Sequence, residues 1–495
     1  MLPQRADVVV VGGGSCGSVV AARLSDDPDR SVLLLEAGPG YGPSDVPREI
    51  RDAATLPVGP GSDWVAAYPA RLTANRAAIV VRGGVLGGSG AVNGAYFVRA
   101  RPDDFTRWPR SWSYDRVLPV FREIETDADF SGPFHGASGL VPVSRTPEEL
   151  LHPVSGTFVE AASSAEWEWV DDLNAPGPDG VGRVPMNVRD GMRYGPSLAY
   201  LLPVVERSNL TVRSDTRVVR VVLSGRRAIG VEVEDGTGTR RIAAEHVVVC
   251  AGAVCSPQLL MLSGIGPAGE LRRLGVEVRH DLPGVGSGST DHPEVTIPYR
   301  LRRDVPLRAP LLETVLHTSG LELRPYTVPF GAAIPGSGVV DPVLGVVLTR
   351  PRSRGQVVLD SAKPWSPPVL DYNYLGRRED RDTLRQGVRI ATGLLDAMHD
   401  LVEPGSVDAA AGGAGPSDAW LAAHLGTSLH LSGSCRMGDD ENAVVDDRCR
   451  VRGIEGLSVV DTSVFPEVPS RGPHATAVML AHRFAASVHD DRHPE

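Results

Sequence analysis

Lysine is scarce in this 495-residue chain, and arginine supplies most of the positive charge. Acidic residues outnumber basic ones, leaving a formal net charge of −11. No cluster of Lys and Arg interrupts that balance, which argues against nucleic acid as a partner. Cysteine is sparse too: Cys16, Cys250, Cys255, Cys435 and Cys449 are odd in number and include no CxxC. A disulfide framework or a zinc site does not fit that pattern; reduced, packed thiols do, and no metal is expected. No apolar run reaches the length of about eighteen residues that a transmembrane helix needs. The first apolar strand begins by residue 7, which leaves no room for a signal peptide. A cytoplasmic protein is expected, with peripheral contact at a membrane surface left open. Internal repeats at solenoid periods are missing. Ser89 and Ser434 lack a GxSxG elbow, which removes the hydrolase reading. What is abundant is glycine (55) and proline (41), implying turns and loops rather than long helices. The chain is long enough for a large core and two domains.

One stretch near the start organises the rest: Asp7-Val8-Val9-Val10-Val11-Gly12-Gly13-Gly14-Ser15-Cys16-Gly17, running on to Leu33-Leu34-Leu35-Glu36-Ala37-Gly38. Consecutive valines read as a strand buried on both faces, as in a parallel sheet. Gly12, Gly14 and Gly17 form GxGxxG at its end, a helical pattern follows from Ser18 to Leu24, and Val32 to Leu35 is a second buried strand. Strand, glycine turn, helix, strand and acid in this order are the form of a dinucleotide site. Gly12 permits the turn, Gly14 lets backbone approach a pyrophosphate, and Gly17 lets helix and strand pack. Phosphates then lie at the helix N-terminus. Glu36 is placed to bond ribose hydroxyls and would repel a 2′-phosphate. The stretch alone does not choose between FAD and NAD.

A second glycine-rich segment, Arg82-Gly83-Gly84-Val85-Leu86-Gly87-Gly88-Ser89-Gly90-Ala91-Val92-Asn93-Gly94, follows the apolar run Ala78 to Val81. Its glycines oppose a stable helix or strand, while its apolar residues oppose solvent exposure, so its backbone should lie against something flat or charged. Tyr114 to Thr126 reads as an amphipathic helix with Val117, Leu118, Phe121 and Ile124 on one face, its regular part beginning near Pro119. Strands are expected at Asn209–Arg213, Arg217–Leu223, Ala228–Val233 and in the apolar end of Arg241–Cys250. Ser256-Pro257 resembles an N-cap with proline at the first helical position, predicting a helix over Ser256–Ser263. A sheet with one wall facing a substrate is expected from Glu294 onward, then a helical stretch from Arg378 to Leu401 and an Ala/Gly linker from Ala409 to Pro416. The C-terminal part carries Leu429-His430-Leu431-Ser432-Gly433-Ser434-Cys435, an apolar strand at 457–461, and Ser470-Arg471-Gly472-Pro473-His474-Ala475-Thr476 opening a last helix.

With these residues in view, the chain resembles the glucose-methanol-choline (GMC) flavoprotein oxidoreductases from end to end. The likeness rests on Arg82 to Asn93, on the string Gly252-Ala253-Val254-Cys255-Ser256-Pro257-Gln258 through Gly266, and on the segments around His430 and His474. It decides FAD over NAD. The resemblance implies an α/β protein: a discontinuous, Rossmann-like FAD-binding domain (5–140, 202–292 and 425–492) and a substrate domain (141–201 and 293–424) built on a mostly antiparallel sheet with flanking helices. It implies FAD contacts at Gly12, Gly14, Ser15, Gly17 and Glu36, at Arg82, Gly87, Gly88, Asn93 and Gly94, at Val218, Ala251 and Gly252, and at Asp461, Thr462 and His474. Some members attach FAD through a histidine directly before the asparagine of the first motif. Here that residue is Val92, so FAD is expected to be non-covalent. The segment Val285 to Asp291-His292 departs from the Asn-Leu-Gln that the family more often shows there. The substrate segment carries no recognisable sugar or choline site.

His430 matches the family's main catalytic histidine and His474 the second catalytic position. Neutral histidine can withdraw the hydroxyl proton of a CH–OH donor while hydride passes to flavin N5. His474, at the mouth of the last helix, would hold the oxygen or share the proton. His292, His424 and His482 read as structural, Arg82 and Arg436 as packing or loop-holding residues, and Cys435 lacks the partners that acyl transfer needs. Glu125 to Phe130, Leu323-Arg324-Pro325-Tyr326-Thr327 and Ser470 to Thr476 resemble the branch associated with mycofactocin, a peptide-derived redox cofactor. That branch implies a dehydrogenase that oxidises reduced mycofactocin and passes electrons to a respiratory acceptor. The alternatives are a GMC alcohol or sugar oxidase or dehydrogenase acting on a small alcohol, a nicotinamide-dependent dehydrogenase, and a flavin-binding redox partner without alcohol chemistry.

Overall fold

The computed structural model describes residues 2–236, 238–408, 411 and 415–490. Most of the Ala/Gly stretch 409–416 therefore lies outside the described residues. A seven-stranded sheet carries the first motif. Its order is Leu210–Arg213, Val32–Leu35, Arg5–Val11, Thr239–Val249, Arg227–Glu234 and Arg217–Ser224, with Leu457–Val459 also paired to Thr239–Val249. Val9 lies opposite Leu33 on one side and Val247 on the other, both in parallel register. The valines expected to be buried on both faces are at most 5% exposed. The long strand Thr239–Val249 serves two neighbours at once. Its first half pairs antiparallel with Arg227–Glu234, its second half parallel with Arg5–Val11.

The turn after Arg5–Val11 needs glycine for steric reasons. Gly12 has φ +98°, and a Cβ there would lie 2.6 Å from the Cys250 carbonyl oxygen. A Cβ on Gly17 would overlap the Gly12 carbonyl oxygen, so the helix Ser15–Leu24 can lie close to the turn only without a side chain there. That helix packs against the last helix, His474–Asp490.

A second sheet is antiparallel throughout, in the order Leu425–Thr427, Pro293–Pro298, Val343–Leu348, Leu321–Pro325, Thr314–Thr318 and Gly180–Arg183. The helix Arg378–Ala397 covers it through Leu384, Val388 and Ala391, all fully buried. A third sheet, Ser287–Ser289, Gly355–Val358, Val369–Asp371, Val65–Thr73 and Arg76–Gly83, joins segments from across the chain. No helix among the described residues is long and apolar enough to cross a membrane. All the cysteines are free thiols, four of them buried and Cys255 half-buried.

Three local expectations need correction. The helix expected from Ser256 begins at Gly252 and runs to Leu262, with Pro257 inside it. Proline cannot donate to the Ala253 carbonyl one turn back; the Ser434 hydroxyl donates to it instead, at 2.6 Å. Tyr114–Ile124 is helical from its first residue, so Pro119 sits mid-helix rather than at the start, and Leu118 is only half-buried. Pro119 and Asp115 are both exposed, so water can satisfy the carbonyl that proline leaves free. The segment around Arg82–Asn93 is also less irregular than its glycines suggest. Strand Arg76–Gly83 enters it, and a single helical turn, Ser89–Val92, closes it.

Candidate active site

A cavity of about 1140 Å³ runs along the C-terminal ends of the parallel strands and on toward the antiparallel sheet. That edge of a parallel sheet is where α/β proteins bind ligands, because glycine turns and helix N-termini converge there. Gly12, Gly14, Ser15 and Glu36 line one end. Arg82, Gly88, Asn93 and Gly94 line its flank, together with Val218, Ala251, Gly252, Asp461 and Thr462. His430 and His474 both face it. Gly17 and Gly87 stand behind the wall: Gly17 packs on Gly12, and Gly87 donates its N–H to the Gly13 carbonyl at 2.7 Å.

The two glycine segments meet face to face. A Cβ on Gly88, whose φ is +55°, would lie 2.7 Å from the Gly14 Cα. Their bare backbones form a narrow cradle at the N-terminus of Ser15–Leu24, suited to a pyrophosphate. Glu36 accepts from Gly13 N at 2.7 Å and Gly38 N at 2.8 Å, bracing the turn while its carboxylate edges the cavity. Asp461 accepts from Gly252 N and Ser256 Oγ, at 2.9 and 2.6 Å, and so pins the start of helix Gly252–Leu262. Val92 is buried on the cavity wall and offers no nucleophile for attaching a cofactor. A cavity of this length, with a side-chain-free cradle at one end and histidines at the other, fits a dinucleotide with a substrate beside it.

The histidines are held from behind. Asp291 Oδ1 accepts the backbone N–H of both His292 and His430, at 2.7 and 2.8 Å. Its other oxygen takes the Thr427 hydroxyl at 3.1 Å and faces Arg82 at 3.8 Å. Burial raises the Asp291 carboxyl, while Arg82 and those donors oppose the rise. His292 Nδ1 then stands 2.9 Å from His430 Nδ1, with the rings edge to face. His292 is fully buried, whereas His430 keeps part of its ring open to the cavity. Burial, His292 and Arg324 hold His430 well below the usual imidazole range. Burial holds His292 and His474 at about 4, so all three are neutral at pH 7. His474 opens the last helix with Nε2 unpartnered, its ring edge-on to Phe97. A Cβ on Gly472 would lie 3.8 Å from His430 Cε1, so the segment carrying His474 abuts the His430 ring.

Sequence reasoning missed His292 as a partner of His430, and it missed the polar wall. Arg324 donates to Glu322 at 2.5 Å and pairs with Glu294 at 3.4 Å. Tyr326 and Ser428 donate to Glu294, and Tyr96 donates to Glu322 at 2.7 Å. Burial pushes Glu322 up, but Arg324 and His317 outweigh it and keep the carboxylate ionised. The available signal was the alternation in Leu321-Glu322-Leu323-Arg324, charges at strand period in a buried strand. Beyond that wall the cavity is apolar, with Leu311, Leu312, Phe330, Ile334 and Val343.

Glu125, Asp127 and His135 also bring ligand atoms within 4.8 Å of one another. Arg99 and Arg145 already occupy those carboxylates, and His135 adds a third cation, which disfavours a metal ion.

Comparison with known proteins bears on the same residues. A family model described as GMC oxidoreductase matches residues 6–294 with its N-terminal part and 351–481 with its C-terminal part. A GMC-type oxidoreductase of Rhodococcus erythropolis is 50% identical over 97% of this chain and 98% of its own length. An oxygen-dependent choline dehydrogenase of Photobacterium profundum is 32% identical over 97% of this chain and 92% of its own. Among solved structures, pyridoxine 4-oxidase from Mesorbium loti superposes with a TM-score of 0.90 at 31% identity, covering 98% of this chain and 99% of that one.

Proposed function

The chain belongs to the GMC oxidoreductase family, binds FAD and acts on alcohol-type substrates, and from that premise we propose that His430 is its catalytic base. When bound, FAD supplies the hydride-accepting chemistry. In this reading its binding domain comprises 5–140, 202–292 and 425–492, and the substrate domain 141–201 and 293–424. The cradle of Gly14 and Gly88 with Ser15, together with Glu36, Arg82, Asn93, Gly94, Val218, Ala251, Gly252, Asp461 and Thr462, would hold the cofactor.

The carrying observation is the hydrogen bond between His292 and His430. Both rings are neutral, so one Nδ1 donates and the other accepts. In this reading His292 carries its proton on Nε2 and accepts at Nδ1. His430 therefore carries its proton on Nδ1 and presents an Nε2 lone pair for the alcohol proton. His474, with Nε2 unpartnered and the last helix's positive end behind it, holds the alcohol oxygen as charge develops there. Every carboxylate oxygen of Glu294 and Glu322 already has a donor, and Leu311, Leu312, Phe330, Ile334 and Val343 give the cavity an apolar stretch. That wall suits a neutral donor with an extended apolar or aromatic body.

We assign the finer activity to a dehydrogenase that oxidises reduced mycofactocin, with a respiratory acceptor; the branch-like strings 125–130, 323–327 and 470–476 support it. Anaerobic flavin reduction against reduced mycofactocin, pyridoxine, choline and simple alcohols tests both levels. Rapid bleaching by mycofactocin alone supports the finer reading, and rapid bleaching by simple alcohols alone removes it. Dye reduction without oxygen consumption is expected of a dehydrogenase.

A further inference from the structure

The segment that carries His474 also lines a second cavity, of about 710 Å³, through Ser470 and Arg471. Arg471 is 4% exposed, and its Nε and Nη1 have no hydrogen-bond partner. No carboxylate among the described residues forms an ion pair with it. Tyr96, Glu322 and Asp104 favour its charge from a distance, while burial and Arg101 oppose it. Those acids are engaged elsewhere. Glu322 holds Tyr96, Arg324 and His317, and Asp104 holds Ser470 Oγ and Arg101 N. A guanidinium cannot shed its proton, so a buried one without a counter-ion is an incomplete structure.

The other charges of the cavity are accounted for. Arg101 pairs with Asp179, which also accepts Ser319 N. Arg350 stands 4.0 Å from Asp103 and 3.8 Å from Asp104. Asp380 accepts the N–H groups of Arg352 and Ser353, and Arg352 and Glu379 are exposed. His317 is a second buried group with a free atom. It is 4% exposed, with Nε2 bonded to Glu322 at 2.8 Å and Nδ1 unpartnered. The remaining wall is hydroxyls and backbone, with Leu321 and Leu348 its apolar members.

We propose that this cavity is a second ligand site, taking a small polar molecule whose oxyanion, carboxylate or phosphate, sits on Arg471. The anion supplies the counter-charge Arg471 lacks, and the wall hydroxyls and His317 receive the polar body. The volume is in the range of small-molecule sites and far exceeds that of a bare ion, so the anion is carried on a larger frame.

The test is calorimetric titration of the FAD-loaded enzyme with glucose 6-phosphate, succinate and inorganic phosphate at constant ionic strength. Saturable binding of at least one probe is expected, weakened about tenfold or more by Arg471→Gln, the loss of one charge-assisted contact. If Arg471→Gln does not fold, Arg350→Ala replaces it; that side chain is half exposed, and its loss removes a cation from the same wall. Binding of the sugar phosphate or of succinate identifies the frame, and phosphate binding with the same Arg dependence supports the anion subsite. No saturable binding by any probe, or binding unchanged by the variant, overturns the proposal.

Discussion

The two ring nitrogens of His430 have different neighbours, and that asymmetry decides what substitution should do. Replacing His430 by Ala removes the proposed proton acceptor, so anaerobic flavin reduction should slow by about 10²–10⁴-fold. A rate unchanged in stopped flow would sink the base assignment. In the proposed mechanism His292 acts through His430 as a positioning residue. His292→Ala should slow reduction by about tenfold or more and alter its pH profile, because His430 loses the acceptor that fixes its tautomer. His292→Asn offers an amide oxygen at that place and should recover part of the rate. Protonation would remove the base, and burial with His292 and Arg324 pushes His430 well below its ordinary range. The reduction rate should therefore stay level from pH 8 through the usual imidazole range and fall only in more acidic buffer; a titration near 6.5 would contradict the burial argument. That His430 and His474 are candidates was readable from the strings around them, and the structure brings both to one cavity. His292 was not, since its partner lies 138 residues away and nothing local distinguishes it from a core histidine.

Secondary-structure elements were legible wherever the cause is local, and misplaced where a distant residue supplies it. The strand-turn-helix at 5–24 follows from residues adjacent in sequence, so its form was readable throughout. Ser256-Pro257 looks like a helix start because proline lacks an N–H donor there. The actual start is Gly252, because Asp461 binds Gly252 N and Ser256 Oγ, and Ser434 covers the Ala253 carbonyl that Pro257 leaves open. Both partners come from some two hundred residues downstream, outside any sequence window. Ser434→Ala strands that buried carbonyl and should destabilise the protein by about 1–3 kcal/mol in urea melts. Adding Pro257→Ala restores an N–H one turn along, so the double variant should regain much of the loss. A double variant as weak as the sum of the singles would show that Ser434 matters for another reason. The same logic explains the polar wall: Glu322 and Arg324 share a strand, but Glu294, Tyr96 and Ser428 reach them from other elements.

At the scale of the molecule, a bound cofactor and a cluster of ion pairs should each link segments distant in sequence. Non-covalent FAD, with Val92 where an attaching histidine would stand, should be released completely into the supernatant on acid precipitation. Added FAD should raise the melting temperature of the apoprotein in a concentration-dependent way, with a stabilisation of about 2.7 kcal/mol at a hundredfold excess over Kd. A second tie is the buried network of Arg99, Glu125, Asp127, His135, Arg145 and Asp172, which joins strand Glu125–Asp127 to segments on both sides of residue 140. Burial disfavours the His135 imidazolium, but Asp127, Asp172 and Glu125 outweigh it and raise it to about 10. Below about 6.5, the unfolded-state value, both states are protonated and the full stabilisation is present. Between there and 10 the unfolded chain loses its proton while the folded one keeps it, so stability falls as pH rises. Asp127, held far below the usual carboxylate range chiefly by His135 and Arg145 against burial, behaves oppositely: its share is lost only as pH drops through the acid range. The network should thus stabilise most between about pH 5 and 6.5. His135→Gln keeps a hydrogen-bonding side chain but not the charge, so its destabilisation should be largest near pH 6 and shrink toward pH 9.5. Paired urea melts of wild type and variant at those two values decide it; an equal or greater loss at the higher pH would mean that His135 contributes by packing rather than by charge.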